Sequence, residues 1–125
     1  MSTNNYYEKM HLLEQRTVDF SVLLVKTVGR YVDTPTLKPL VIQIIRSATS
    51  IGANYAEANN ASSELDFRNK IYISKKEAAE TKYWLKILDE LMPAENFENL
   101  QQEAHELHLI LQKITTTLNR KMEAK

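Results

Sequence analysis

At 125 residues, 43% of them apolar and none a cysteine, the chain can pack one domain and cannot form disulfides, thiolate zinc sites or a cysteine nucleophile. Sixteen basic residues balance sixteen acidic ones, so no global positive charge points to nucleic acid or an anionic membrane. The first eight residues are polar, unlike a signal peptide, and no apolar run approaches the roughly 20 residues of a membrane helix. A cytoplasmic protein with no membrane partner is expected.

Only 2 glycines and 3 prolines interrupt the chain. Pro35 with Pro39, Ser62–Ser63 and Pro93 divide it into four stretches, which predict helices at about 8–31, 37–61, 64–92 and 97–121 of a single domain, 1–125. In the first stretch Leu13, Thr17, Phe20, Leu24, Val28 and Tyr31 form one stripe. Val18, Val22, Val25 and Val32 form a second. An outer helix of a monomer needs one apolar face. A second face calls either for a central helix, which a four-helix bundle hardly accommodates, or for a further copy of the chain. The homo-oligomer is the preferred expectation.

The second stretch carries Leu37, Val41, Ile44, Ala48, Ile51, Tyr55 and Ala58 at alternating spacings of four and three. Ser63, followed three residues later by Asp66, supplies a near capping-box start for the third. That stretch repeats the alternation with Phe67, Ile71, Ser74, Ala78, Thr81, Leu85, Leu88 and Met92, and the fourth with Phe97, Leu100, Ala104, Leu107, Leu111, Ile114 and Leu118. A period of 3.5 favours the shallow crossing of bundled helices, and short connections set sequential helices antiparallel. The expected fold is all-α, an up-down-up-down antiparallel left-handed four-helix bundle.

Polar residues on these helices also follow a pattern. Ala48, Gly52 and Ala56 lie four apart, and a glycine inside a helix, about 1 kcal/mol less favourable than alanine, marks close packing by another helix. Beside them run Arg46, Ser50, Asn54 and Glu57. A hairpin turning near residue 62 sets Arg46 opposite Glu77 and Glu80, and Glu57 opposite the turn from Phe67 to Lys70. Arg46, Ser50, Asn54, Glu57, Glu77 and Glu80 are read as a structural polar network in which the charged members pair, with a face toward a ligand or partner as the alternative.

The same residues fail as a metal centre, because bundle di-metal sites use Glu-x-x-His pairs and Glu77 is followed by Glu80. His105 and His108 are not preceded by glutamates at that spacing, and they read as surface residues beside the fourth stripe. No glycine-rich phosphate loop, nucleophile elbow or zinc spacing occurs. No catalytic residue, metal ligand or cofactor is therefore assigned. From Arg68 to Lys86, six basic residues (Arg68, Lys70, Lys75, Lys76, Lys82 and Lys86) stand against two acidic ones, with Tyr72, Tyr83 and Trp84 among them. Such a face can meet RNA phosphates and stack on bases, or it can simply be solvated.

The run from Arg46 to Glu57, Asp66–Phe67, the segment from Lys76 to Leu85 and the start of the first helix at Glu14–Phe20 together resemble the four helix bundle protein family, also called the 23S rRNA intervening-sequence protein family. The resemblance spans nearly the whole chain. It implies a bacterial, cytoplasmic four-helix bundle assembled into a ring, with a pentamer as the expected form and no catalytic residues. A related branch comprises accessory proteins of diversity-generating retroelements, which bind nucleic acid and a reverse transcriptase through basic surfaces. The matching positions are Arg46, Ser50, Asn54, Glu57, Glu77, Glu80 and Trp84. The chain departs from the pattern at Asn59–Asn60, where family members often carry basic residues, and in its neutral charge. The expected function is a non-enzymatic, ring-forming assembly protein that serves RNA or a ribonucleoprotein. The alternative is a structural or protein-interaction bundle without nucleic acid.

Overall fold

Helix boundaries fall where the chain places its breakers. The computed structural model describes the backbone of residues 2–124 and the side chains of residue 5 and residues 7–124. Helix α1 (Ser2–Val28) tightens into a 3-10 turn over Gly29–Tyr31, and α2 (Lys38–Ala58), α3 (Glu64–Leu91) and α4 (Glu98–Glu123) follow. Pro39 sits in the first turn of α2, where its missing N–H has no intrahelical partner to lose. Ser63 caps α3 by accepting from the Asp66 amide at 3.0 Å, and Asp66 accepts in return from the Ser62 amide at 3.3 Å. Pro93 follows the end of α3, and Asn96 accepts from the Glu98 amide at 2.9 Å as α4 begins. The start of α1 lies six residues before the expected position 8, because Ser2–Tyr7 contains neither proline nor glycine and polarity alone does not stop a helix.

The four helices pack in sequence, antiparallel, with α4 closing against α1. Their inner stripes form one core: Phe20, Leu24 and Val28 from α1, Val41, Ile44, Ala48, Ile51 and Tyr55 from α2, Ile71, Ala78, Leu85 and Leu88 from α3, and Leu100, Ala104, Leu107 and Leu111 from α4. Nearly every position of the expected stripes is in it. The exceptions stand toward the helix ends, where Leu13, Tyr31, Leu37, Phe67, Ile114 and Leu118 are half-buried. The second stripe of α1 is outside the core, with Val18 and Val22 each 47% exposed and Val25 38% exposed.

Candidate functional site

The polar residues fall into three seams, between α2 and α3, between α1 and α4, and between α3 and α4. Between α2 and α3, the Arg46 guanidinium donates to Glu77 at 3.0 Å and to Glu80. Glu80 also accepts from the Trp84 indole N–H at 3.0 Å. The indole and the guanidinium hold the Glu80 carboxylate below the ordinary glutamate range, against a smaller opposing effect of burial. One helical stretch away, Lys70 meets Glu57 at 3.3 Å. Both pairs lie in the register of a hairpin turning near residue 62. Ser50 and Asn54 do not join them: the Asn54 side chain donates back to the Ser50 carbonyl at 2.8 Å within α2.

Beneath this seam runs a buried one that the apolar stripes conceal in the sequence. Thr81 donates to Ser47 at 2.9 Å, and Ser74 donates across to the Ile51 carbonyl at 2.7 Å. All three hydroxyl-bearing residues are fully buried. Ser74 and Thr81 stand in the apolar stripe of the third stretch, which signals their burial, whereas Ser47 lies beside the stripe of the second and gives no such signal.

The face of small residues on α2 meets α1. Ala48 is fully buried, and its carbonyl accepts from Ser21 at 3.4 Å. A Cβ placed on Gly52 would stand 2.5 Å from Thr17 Oγ1 and 2.8 Å from Thr17 Cβ. Ala56 is half-buried. Between α1 and α4, Arg16 holds Glu103 with two hydrogen bonds of 3.0 and 2.6 Å and approaches Glu106 at 3.6 Å. At the end of the bundle, Tyr31 donates to Glu95, which Arg30 also approaches at 3.7 Å. Carboxylates at positions 95 and 103 gave no spacing signal, because their partners are distant in the chain.

The third seam divides the basic residues of α3. Lys70 turns to α2 and is neutralised by Glu57, and Lys76 points outward. Arg68, Lys75, Lys82 and Lys86 follow the edge toward α4. Arg68 donates to Asn119 at 3.3 Å and lies 5.9 Å from the centre of the Tyr72 ring, over which Lys75 also stands at 5.7 Å. Asn119 donates in turn to the Tyr72 hydroxyl at 2.8 Å. Further along, Lys82 Nζ lies 3.0 Å from His105 Nδ1 and 3.3 Å from His108 Nδ1. A groove of about 290 Å³ opens there, lined by Lys82, Lys86, Gln101 and His105. Among the described residues, no carboxylate lies within ion-pair distance of Lys75, Lys82 or Lys86.

Among the described residues no cluster of three histidine, cysteine, aspartate or glutamate side chains could hold a metal ion, and no helix is long and apolar enough to cross a membrane. Residues 10–113 match the family model described as 23S rRNA-intervening sequence protein. The chain belongs to that family. A crystal structure of a protein of unknown function from the S23 ribosomal protein family of Bacteroides thetaiotaomicron is 34% identical to this chain. The two superpose with a TM-score of 0.78, over 86% of this chain and 98% of that one. No curated protein matches the chain.

Proposed function

We propose that this member of the family is a non-enzymatic assembly protein whose copies join through α1 into a ring and serve RNA or a ribonucleoprotein. The observation that carries the reading is the open second face of α1. Val18, Val22 and Val25 share one side of that helix and stay exposed, while the core is filled without them. Apolar side chains at helical spacing outside a complete core are what a subunit interface needs. A closed ring, with a pentamer as the family form, would cover the face on every copy and leave no unpaired one.

The RNA side of the proposal is supported by the α3–α4 edge. From Arg68 to Lys86 the edge spans about 27 Å at 1.5 Å per residue, long enough to follow several phosphates. Each copy in a ring repeats that edge, and repetition strengthens binding that one copy would hold weakly. Sedimentation of the purified protein at micromolar concentration, followed by titration with structured RNA across a salt series, tests both halves. A stable species of 14.5 kDa would sink the assembly. An oligomer with no salt-dependent RNA binding would favour the protein-interaction bundle, to which the neutral net charge and the paired Arg46 and Lys70 lend support.

A further inference from the structure

We propose that Lys82, His105 and His108 form a proton-gated site for a phosphodiester group in the α3–α4 groove. The inference rests on the RNA reading above and deepens it by naming the atoms and the condition under which they bind.

The geometry starts from Lys82. A charged ammonium can only donate, so both Nδ1 atoms 3.0 and 3.3 Å away accept, and each neutral imidazole carries its proton on Nε2. In this state the lysine fills the point on which the two Nδ1 atoms converge. Protonation reverses the arrangement. Each Nδ1 then bears a hydrogen directed at a like charge, and the flexible lysine stem swings away into the groove. An oxygen carrying negative charge fits the vacated point, accepting from both Nδ1–H groups with Lys82 beside it. Lys86 and Gln101 line the same groove with further donors.

The surroundings reinforce the gate. From α3 the charged groups near the two imidazoles are Lys75, Lys82 and Lys86, all cations without a carboxylate partner among the described residues. From α1 the facing charge is Arg16, and it is tied to Glu103 and Glu106 on α4 itself. The α2 backbone makes no close approach to α4. Burial, Lys82, Lys75 and His105 hold the His108 imidazole below its ordinary value, so it stays neutral near pH 7 until an anion arrives. A bound phosphodiester would draw protons onto the pair. By linkage, its affinity rises as the pH falls.

The test uses the full-length protein and a 12-nucleotide oligouridylate, whose phosphates and bases keep one charge state between pH 5.5 and 8. The expected result is binding at least tenfold tighter at pH 5.5 than at pH 8. The salt dependence should also steepen at pH 5.5, by about 0.7 for each added phosphate contact on a single strand. The double variant His105→Gln with His108→Gln should bind at pH 5.5 as the parent binds at pH 8. In the parent protein, the imidazole nitrogen resonances of His105 and His108 should move when oligouridylate is added. Sulfate, which stays a dianion over this range, should move the same resonances if a free oxyanion suffices, and leave them still if the site requires a polynucleotide. Oligouridylate binding with no pH dependence, or unchanged in the double variant, would overturn the site and leave the RNA reading standing. Sulfate moving both resonances without any oligouridylate binding would keep the anion site and remove the RNA reading. Resonances unmoved by either probe would remove both.

Discussion

Gly52 faces Thr17 so closely that any side chain on the glycine meets the threonine: a Cβ there would lie 2.8 Å from Thr17 Cβ. Thr17 Oγ1 would be closer still, at 2.5 Å, and because the Cβ is part of the clash turning the hydroxyl away does not relieve it, so the helices must part. Gly52→Ala should lower stability by about 1–2 kcal/mol, since overpacking outweighs the gain of about 1 kcal/mol in helix propensity. Thr17→Ala removes the hydroxyl but keeps the Cβ, and should rescue only part of the loss. Denaturant unfolding of the two single variants and the double variant reads the coupling.

Trp84 is the single tryptophan of the chain, and its indole N–H is bonded to Glu80. Its fluorescence therefore reports one carboxylate. Because the folded-state value of Glu80 is lowered, the stability it adds is present above the ordinary glutamate range and is lost as the pH falls through the folded value. The emission of Trp84 should change in that acid window in the native protein, and Glu80→Gln should abolish the change. A double-mutant cycle on Arg46 and Glu80 should give a coupling of about 0.5–1 kcal/mol, as for other solvent-exposed ion pairs.

His108 titrates in a different window with the same direction. Its folded-state value lies below the ordinary 6.5, so just below that pH the unfolded chain binds a proton that the folded chain refuses. Stability falls as the pH drops from about 6.5 toward the folded value and levels off beneath it. His108→Gln should flatten this part of a stability–pH curve. Chemical denaturation at a series of pH values checks it.

Thr81 and Ser47 form a buried hydroxyl pair. Thr81→Val leaves Ser47 without its donor and should cost about 1–2 kcal/mol. Thr81→Val combined with Ser47→Ala removes both polar groups, and the double variant should recover most of that loss. Thermal unfolding compares the three.

Val22→Lys places a charge in the middle of the exposed α1 face. At 47% exposure the change should leave the folded subunit within about 0.5 kcal/mol of the parent. It should nonetheless shift sedimentation toward 14.5 kDa, because the lysine cannot be buried between subunits. Parent and variant sedimenting alike would argue that assembly uses another face.

The helices were readable because their signal is local. Alternating spacings of four and three from Val41 to Ala58 and from Ile71 to Met92 report a buried stripe wherever the neighbouring helix stands. The α2–α3 ion pairs were readable for a related reason: one short turn near residue 62 fixes the register, so Arg46 can be counted across to Glu77 and Glu80. The α1–α4 and α3–α4 seams have no such ruler. Arg16 and Glu103 are joined only through the packing of two intervening helices, and His105 meets Lys82 through rotations of α3 and α4 that a period of 3.5 does not resolve. Polar residues inside an apolar stripe, such as Ser74 and Thr81, disclose burial but not which carbonyl or hydroxyl they will meet.

The polar bonds are unevenly shared among the helices, and the consequence is kinetic. Helices α2 and α3 are cross-linked by buried hydroxyls as well as by ion pairs, and they are joined by a turn of only a few residues. Beyond its apolar stripe of Phe20, Leu24 and Val28, helix α1 is held to its neighbours by the close contact at Gly52, by Ser21 on the Ala48 carbonyl and by Arg16 on Glu103 of α4, with no buried hydroxyl pair of its own among the described residues. Contacts near in sequence form first, with the smallest loop entropy to overcome. The α2–α3 hairpin is thus the natural seed of the fold and the last part to open, and α1 is the first to detach. Amide hydrogen exchange in the native protein should rank the helices in that order.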